Sequence, residues 1–372
     1  MDIKSLINPT PSISSSRPIV QRRKRNDPVP IWAIREQDAP WERAPPQVPS
    51  HAPSQQPLQV PAEFTPQAQN GLHDWDWQPS ITGKAPYDEI SRTIGHFIWH
   101  NMITNDALLQ AAAESEGSQV EIEAKWGQIQ DFQTKERLRW FNDTECILRT
   151  KEFGNTRFAS TMSVLQHKKM NQYLNNSISA NLQQNGDARQ RRSPLSYKHI
   201  YEKDEFYDLD QDGFNRLLPS TRSILGSPRG QKVRVTKDSK TNLIIRKIIK
   251  HKIANVEISS PQTEWDYRIS INLEIQYPGS VEDLSRAVEK GKVTERSKDR
   301  MSYAHNSQHY QIDLTQVVNV EGEKNHELEL EVDSMFLLME AEKVKSNQAN
   351  HYDDIIGGMI NNLRELSRAV GR

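Results

Sequence analysis

The chain has 372 residues, of which 35% are hydrophobic, and it carries a formal net charge of −1. This near-neutral balance excludes a global electrostatic attraction to nucleic acid or to a membrane, so any phosphate binding has to be local. The single cysteine excludes an intramolecular disulfide and fits a reducing, intracellular compartment. The sequence shows neither a signal peptide nor an apolar run long enough to span a bilayer, which predicts a soluble protein.

Residues 1–84 are predicted to form a disordered tail. Fourteen of the 20 prolines lie before residue 81, among many serines, glutamines and alanines. Such a composition cannot bury enough apolar surface to offset the entropy that is lost on ordering. We therefore place the folded domain at residues 85–372.

Helices and strands are expected in a definite order after residue 84. Apolar residues recur at helical spacing over 87–114 and again over 160–182, and the polar, basic segment 185–194 predicts a loop. The strand pattern predicts nine strands, at residues 119–126, 144–150, 196–207, 231–237, 242–258, 265–277, 299–305, 308–316 and 326–333. A helix is expected near 281–290, and a last amphipathic helix is expected at 352–370.

Two of these strands carry rows of glutamate. Residues two apart share one face of a strand, so Glu327, Glu329 and Glu331 form a row of carboxylates about 6.5 to 7 Å apart. Glu121 and Glu123 repeat the arrangement on the first strand. Such a row repels itself, and a fold tolerates it where the face is open to solvent, where cations are held against it, or both.

The division into one polar and one apolar face recurs on other strands. One face of the strand at 265–277 carries Asp266, Arg268, Ser270, Asn272, Glu274 and Gln276. An antiparallel sheet with one solvated face would also give this pattern. However, the amphipathic helices need an apolar surface to cover, and if they cover the outside of the sheet, the polar faces line a tunnel. The predicted fold is therefore α+β, with a closed antiparallel β-barrel of about eight strands, a polar interior and helices outside.

A tunnel of this kind would bring acids and bases together. Rows of glutamate bind hard divalent cations such as Mg²⁺ or Mn²⁺ through oxygen, while Lys and Arg on neighbouring strands hold phosphate oxygens by charge-assisted hydrogen bonds. Together these groups describe a polyphosphate site. A metal ion would neutralise charge that develops on a terminal phosphate, and a further acid could orient the attacking water. The pattern therefore favours hydrolysis.

The segments Val120–Gly127 and Glu327–Glu331 resemble the paired metal-binding motifs of the triphosphate tunnel metalloenzymes. Within that group the chain is similar to the fungal RNA 5′-triphosphatases, the beta subunits of the mRNA-capping enzyme. The resemblance covers about residues 86–333 in order. Further support comes from three intervening segments, Asp266–Glu274, Lys298–Tyr303 and Ile312–Thr315.

The resemblance implies roles for individual residues. An acidic, metal-binding cluster would consist of Glu121, Glu123, Glu327, Glu329 and Glu331. Phosphate oxygens would be contacted by Arg234, Lys298 and Arg300. Glu274 would orient the attacking water, and the cofactor would be Mg²⁺ or Mn²⁺. Side chains that would support the tunnel are Lys125, Arg268, Asp313 and Thr315.

The chain also departs from the family pattern. Gln311 stands where an arginine is expected, which removes the basis for one phosphate or structural contact. Trp126 stands where relatives often have phenylalanine, and it requires more volume. Neither change touches the acidic rows. Lys250 and Lys252 lie outside the motifs, and we interpret them as solvated surface charges.

The tail carries a candidate docking segment. Trp32 lies in a short apolar island at residues 30–36, and the resemblance implies docking of the guanylyltransferase subunit there, with Trp75 and Trp77 as a rival site. The basic run at 21–25 fits a nuclear import signal. The resemblance implies a homodimer, and we expect a nuclear protein without membrane attachment.

Three functions remain open at this point. The first is a metal-dependent RNA 5′-triphosphatase that removes the γ-phosphate of nascent RNA to leave a 5′-diphosphate, the first step of mRNA capping. The second is a tunnel enzyme for inorganic tripolyphosphate or nucleoside triphosphates, which would share every tunnel residue. The third is a non-catalytic scaffold whose polar strands face solvent and whose Trp-bearing tail recruits a partner.

Overall fold

The computed structural model describes residues 78–149, 154–183 and 195–370. Residues 1–77 of the predicted tail, with its docking tryptophans and its basic run, therefore lie outside the described residues. The predicted loop 185–194 lies outside them as well. Residues 78–83 form a bend followed by a turn, which Gly83 closes by donating its backbone N–H to the Ser80 carbonyl at 3.0 Å. Among the described helices, none is both long enough and apolar enough to cross a membrane.

Twelve strands are present in the described part of the chain. In chain order they are β1 (Gln119–Asp131), β2 (Cys146–Leu148), β3 (Thr156–Ala159), β4 (Ser196–Asp208), β5 (Lys232–Asp238), β6 (Ile244–Ser259), β7 (Asp266–Gln276), β8 (Val288–Glu289), β9 (Lys292–Val293), β10 (Glu295–His305), β11 (Tyr310–Asn319) and β12 (Lys324–Val332). The helices are α1 (Glu89–Ile98), a π-helical turn (Trp99–Ile103), α2 (Asp106–Glu114), α3 (Val164–Gln183), α4 (Gln211–Asn215), α5 (Pro219–Leu225), a 3₁₀ turn (Asn306–Gln308), α6 (Ser334–Lys345) and α7 (Tyr352–Val370).

Eight of the strands close into an antiparallel barrel. Their order around the barrel is β12, β11, β10, β4, β5, β6, β7 and β1, and the pairing of β1 with β12 completes the ring. The short strands β3 and β2 extend the sheet beside β1 and β6. A closed barrel leaves none of its eight strands as an unpaired edge. The predicted α+β fold with a closed antiparallel barrel of about eight strands is thus confirmed.

The barrel turns its apolar side outward. On β7 the side chains of Ile269, Ile271 and Leu273 are fully buried in the core that the helices share with the outer face of the barrel. The amphipathic helix α7 contributes Met359 and Leu363 to the same core. Because strand side chains alternate between faces, the polar residues of β7 point into the barrel. The helices therefore cover the outside of the barrel, as predicted, and the polar faces of the strands turn inward.

Trp126 lies in this outer core. Its indole Nε1 donates to Ser367 Oγ of α7 at 2.8 Å, and its ring meets Tyr267 edge-on with centroids 6.3 Å apart. The residue after it must be glycine, because a Cβ at Gly127 would lie 2.3 Å from the carbonyl oxygen of Ala159. The Trp-Gly pair of the first motif therefore fixes the packing of β1 against α7 and β3.

The helix predicted at 281–290 is wrong. The segment contains turns and the short strand β8 instead. Val281, Leu284 and Ala287 are buried at helix-like spacing, but the Ala287 N–H donates to the Phe206 carbonyl at 2.8 Å. Backbone pairing with the end of β4 thus replaces the helical hydrogen bonds. The sequence pattern also missed β3, the β8–β9 hairpin and helices α4, α5 and α6.

Candidate active site

The interior of the barrel is a polar cavity of about 130 Å³. Most of the residues singled out in the sequence line it, namely Glu121, Glu123, Lys125, Arg234, Glu274, Lys298, Arg300, Thr315, Glu327, Glu329 and Glu331. They come from β1, β5, β7, β10, β11 and β12, and the alternation along each strand turns them inward. The cavity thus brings together acids and bases that lie more than 200 residues apart in the chain.

The two glutamate rows meet where β1 pairs with β12. Glu123 is directly opposite Glu331, and Lys125 is opposite Glu329. The Lys125 ammonium lies 2.5 Å from Glu329 Oε1 and 3.5 Å from Glu123 Oε2. A lysine between two rows of carboxylates reduces their mutual repulsion, which explains how one closed barrel holds both rows.

Lys250 is a second cation between the carboxylates. Its Nζ lies 2.9 Å from Glu123 Oε2 and also contacts Glu121. Register places Lys250 opposite Glu274, on the inward face of β6. The interpretation of Lys250 as a surface charge is therefore wrong. The residue pattern around Lys250 does not indicate which face of β6 turns inward. Lys252 is exposed, in agreement with the interpretation of that residue.

Three carboxyl groups, two of them buried and that of Glu331 half-buried, could hold a metal ion. One oxygen each of Asp313, Glu329 and Glu331 lies within 4.8 Å of the others. Burial raises the pKa of Glu331 to about 8, and the neighbouring Glu121, Asp313 and Glu329 add to that rise. Burial likewise raises the pKa of Asp313, and it opposes the lowering of the Glu329 pKa by Lys125. Clustered carboxyl oxygens of this kind fit a hard divalent cation, whose charge would favour their ionised forms.

The remaining glutamates of the predicted cluster border this trio. Asn272 Nδ2 donates to Glu121 Oε2 at 3.0 Å and to Glu123 Oε1 at 3.1 Å, which fixes both carboxylates. Burial raises the pKa of Glu121, and the charge of Glu123 adds to the rise. Burial also raises the pKa of Glu327, with the charge of Glu329 as the next cause. The structure thus brings all five predicted glutamates to one cavity and places the buried Asp313 beside Glu329 and Glu331.

The basic residues lie beside the carboxylates and keep donors available. Arg234 binds Glu274 at 3.0 Å, and Arg300 binds Asp313 at 2.7 Å. The Nε atoms of both arginines are buried without a hydrogen-bond partner among the described residues. A buried donor without a partner costs free energy, and an anionic ligand in the cavity would remove that cost. These arginines therefore fit the predicted phosphate contacts.

Lys298 is held by two carboxylates that the sequence analysis missed. Its Nζ lies 2.8 Å from Glu202 and 3.1 Å from Asp204. Burial lowers the pKa of the Lys298 ammonium although Asp204 opposes this. Lys298 and Arg296 hold the pKa of Asp204 well below its usual range, against the effect of burial. Glu202 and Asp204 lie two residues apart on β4, and this spacing is the signal that could have identified them.

Glu274 is positioned by two donors. It is almost fully buried, its Oε1 accepts from Arg234, and its Oε2 accepts from Gln119 Nε2 at 3.3 Å. A carboxylate held on both oxygens in this way has a fixed orientation toward the cavity. Its remaining lone pairs can accept a hydrogen bond from a water molecule.

The other predicted supporting residues occupy different places. Thr315 lines the cavity, with a buried hydroxyl that has no partner in the described chain. Arg268 does not line the cavity, because its guanidinium pairs with Glu257 and lies 4.6 Å from the ring centre of Phe158. Gln311 Nε2 lies 3.2 Å from each carboxylate oxygen of Asp313. Gln311 therefore orients one of the metal-site carboxyls.

Arg246 is a further cavity residue that the sequence analysis did not select. It lines the tunnel, its Nε is buried without a partner, and it makes no ion pair with any residue that the structure describes. The sequence feature that could have identified Arg246 is its position four residues before Lys250 on the same strand.

Arg246→Gln is expected to raise the KM for a triphosphate substrate about tenfold, because a hydrogen bond to a charged group contributes about 1.5 to 3 kcal/mol. The free energy of unfolding should stay near the wild-type value, since no ion pair is lost. Steady-state phosphate release and urea unfolding measure the two quantities, with Arg229→Gln on the exposed surface as the matched control. An unchanged KM would exclude a phosphate contact from Arg246.

A closed barrel with interleaved glutamate rows and arginine donors defines the triphosphate tunnel class of proteins. The comparisons with known proteins identify the family within that class. The family model described as "mRNA capping enzyme, beta chain" matches residues 84–372, and the chain belongs to this family.

Individual relatives agree with the family. The chain is 27% identical over 296 residues to the mRNA-capping enzyme subunit beta of Schizosaccharomyces pombe, a match that covers 78% of this chain and 84% of the relative. It is 26% identical over 357 residues to the same subunit of Candida albicans, covering 95% of this chain and 62% of that one.

A solved structure shows the same fold. The S. pombe Pct1 RNA triphosphatase superimposes with a TM-score of 0.62 at 24% identity, over 79% of this chain and 98% of Pct1. A structure of Pct1 in complex with the Spt5 CTD gives a TM-score of 0.61 at 25% identity, over 79% of this chain and 99% of that one.

Proposed function

We propose that this chain hydrolyses the γ-phosphate of 5′-triphosphate RNA and leaves a 5′-diphosphate end, the first step of mRNA capping. The observation that carries the proposal is the closed tunnel in which five glutamates face arginines whose Nε donors have no hydrogen-bond partner among the described residues. The chain's membership of the capping-enzyme beta family supports an RNA end as the substrate.

A divalent cation, Mg²⁺ or Mn²⁺, is proposed as the cofactor. Asp313, Glu329 and Glu331 would hold it, with Glu121 and Glu123 on the neighbouring strand. When bound, such an ion neutralises negative charge on the terminal phosphate and polarises its oxygens. The high pKa of Glu331 fits this role, because a nearby cation favours the ionised carboxylate.

The side chains of the tunnel would position the reacting groups. Arg234, Lys298 and Arg300 donate to phosphate oxygens and hold the chain of phosphates along the tunnel. Glu274, oriented by Arg234, accepts a hydrogen bond from the water that attacks the γ-phosphorus. The bond from the γ-phosphorus to the bridging oxygen breaks, and the diphosphate end of the RNA leaves. No nucleophilic side chain is required.

The competing functions differ in what they require of the barrel. A scaffold with solvated polar strands is disfavoured because these strands face a cavity and the helices cover the outer face. Hydrolysis of tripolyphosphate or nucleoside triphosphates uses the same tunnel residues, and the polar lining would admit those substrates as well. The choice among triphosphates therefore depends on contacts outside the phosphate chain.

We further propose that the chain acts in the nucleus as a homodimer and that Trp32 in the tail binds a guanylyltransferase subunit. The names of the relatives as beta subunits support a partner subunit.

The direct test is release of labelled γ-phosphate from 5′-triphosphate RNA by the full chain, with Mg²⁺, with Mn²⁺ and with EDTA. Release with either metal and none with EDTA is expected. Tripolyphosphate and ATP in parallel rank the substrates. If the folded chain releases phosphate from tripolyphosphate but not from RNA, the second function replaces the first. If it releases phosphate from none of them, the scaffold function replaces both.

A further inference from the structure

A second cavity of about 350 Å³, which we call the anteroom, adjoins one end of the tunnel. The two cavities share four lining residues, Gln119, Glu121, Gln311 and Glu331. The anteroom is also lined by His309, Tyr310 and Met335, at the start of β11 and of α6. The anteroom therefore lies next to the tunnel at the end where these elements begin.

The size of the tunnel leaves no room for a nucleoside. Its cavity measures about 130 Å³, whereas pockets for organic ligands measure about 300 to 1,000 Å³. A chain of phosphates is slender, and its oxygens match the lysines and arginines of the tunnel. The sugar and base that follow the triphosphate must therefore lie at one end of the tunnel. The anteroom, at about 350 Å³, is within the range for an organic group.

His309 offers the anteroom a flat ring that is held in place. Its imidazole stacks on the Phe336 ring with centroids 3.5 Å apart and planes 8° apart. His309 Nδ1 lies 3.2 Å from an Asp333 carboxylate oxygen, and the Asp333 N–H donates to the His309 carbonyl at 3.0 Å. His309 lines the anteroom and Phe336 does not, so Phe336 backs the imidazole. The ring is fixed before any ligand arrives.

Met335 adds an apolar side chain to the same cavity. Its side chain is 66% exposed although it is large and hydrophobic, and it lines the same cavity. A thioether packs favourably against aromatic groups. The anteroom therefore combines a stacking surface with an apolar contact, whereas the tunnel beyond it is polar.

We propose that the anteroom binds the 5′-terminal nucleoside of the RNA, with its base stacked on the imidazole of His309 and in contact with Met335. This subsite rests on the proposed function, since it takes the nucleoside whose triphosphate occupies the tunnel. Stacking accepts every base, because each base has a π-face, so the subsite separates RNA ends from inorganic tripolyphosphate without reading sequence.

The test compares two substrates on the same variants. His309 has a positive φ of 60°, and asparagine tolerates that backbone conformation, so His309→Asn removes the ring while it preserves the turn. His309→Asn is expected to raise the KM for 5′-triphosphate RNA about tenfold, from the contribution of one base–aromatic stack. The kcat on RNA and the KM for tripolyphosphate should remain at wild-type values. Met335→Ala should raise the KM for RNA less than His309→Asn does.

A matched control lies at the other end of the tunnel. Arg296 lines the tunnel there, and its guanidinium lies 5.5 Å from the ring centre of Phe206. Arg296 pairs with Asn319 of β11, which lies eight residues along that strand from Gln311 of the anteroom. Phe206, which contacts Arg296, is therefore far from the anteroom. Phe206→Leu is expected to leave the KM for RNA unchanged.

Three results would overturn the proposal: an unchanged KM for RNA in His309→Asn, an equal rise for RNA and tripolyphosphate, or a rise with Phe206→Leu instead. Failure of the proposed function is a separate result, because it appears in the wild-type chain as a lack of phosphate release from RNA.

Discussion

Glu329→Gln is expected to reduce phosphate release from 5′-triphosphate RNA about a thousandfold, because metal stabilisation of the transition state contributes several kcal/mol. Glu329 is buried where the two glutamate rows meet, and it belongs to the trio that includes Asp313 and Glu331. Glutamine keeps the size of the side chain but removes its charge. The variant should also bind Mn²⁺ more weakly, which titration calorimetry measures without reference to activity.

The matched control for this substitution is Glu342→Gln. Glu342 forms an exposed ion pair of 2.7 Å with Lys345 on α6, outside the barrel. Its activity and its Mn²⁺ affinity should equal those of the wild type. The far-UV circular dichroism of both variants should match the wild type, so that a loss of activity reports on the site. A folded Glu329→Gln protein with wild-type activity would contradict the proposed metal site.

Lys298→Met is expected to abolish activity and to lower the free energy of unfolding by about 3 kcal/mol, because removal of one partner leaves buried carboxylates without their cation. Glu202 and Asp204 both lie within 3.1 Å of the Lys298 ammonium, and Asp204 is fully buried. Arg296 at 2.9 Å and Thr236 at 2.7 Å remain bound to Asp204, which keeps the loss near the lower end of the expected range. Urea unfolding measures the loss of stability.

A double variant separates the two effects of this lysine. Glu202→Gln added to Lys298→Met removes the carboxylate whose ion pair with Lys298 is lost, so part of the stability should return while activity stays lost. Lys292→Met serves as the control, since its ion pair with Glu321 is exposed and such pairs contribute at most about 1 kcal/mol. Full activity in a folded Lys298→Met protein would contradict a phosphate contact from Lys298.

The barrel and its inward polar faces could be predicted from the sequence because strand periodicity is a local property. The alternation of Ile269, Ile271 and Leu273 with polar residues states which side chains share a face of β7. It does not state which strand lies beside which. The pairing of β1 with β12, which places Glu123 opposite Glu331, joins segments about 200 residues apart.

The errors have the same physical origin. The segment 281–290 carries helix-like apolar spacing, but its backbone forms hydrogen bonds with β4, which is distant in sequence. Lys250 has no local signal for its direction, since the bulge after it breaks the alternation on β6. Arg246, Glu202 and Asp204 acquire their roles only from neighbours on other strands.

The sequence by itself determined the class of fold, the glutamate rows and the chemistry that such rows favour, because residue type and two-residue spacing are encoded locally. The tertiary structure alone decided which carboxylates converge on one point, which cations separate them, and which end of the tunnel carries the ring of His309. These properties depend on strand register and barrel closure, which are set by the burial of the whole apolar outer face against the helices. A site that is assembled across eight strands is therefore recognisable in the sequence, but its geometry is readable only in the folded chain.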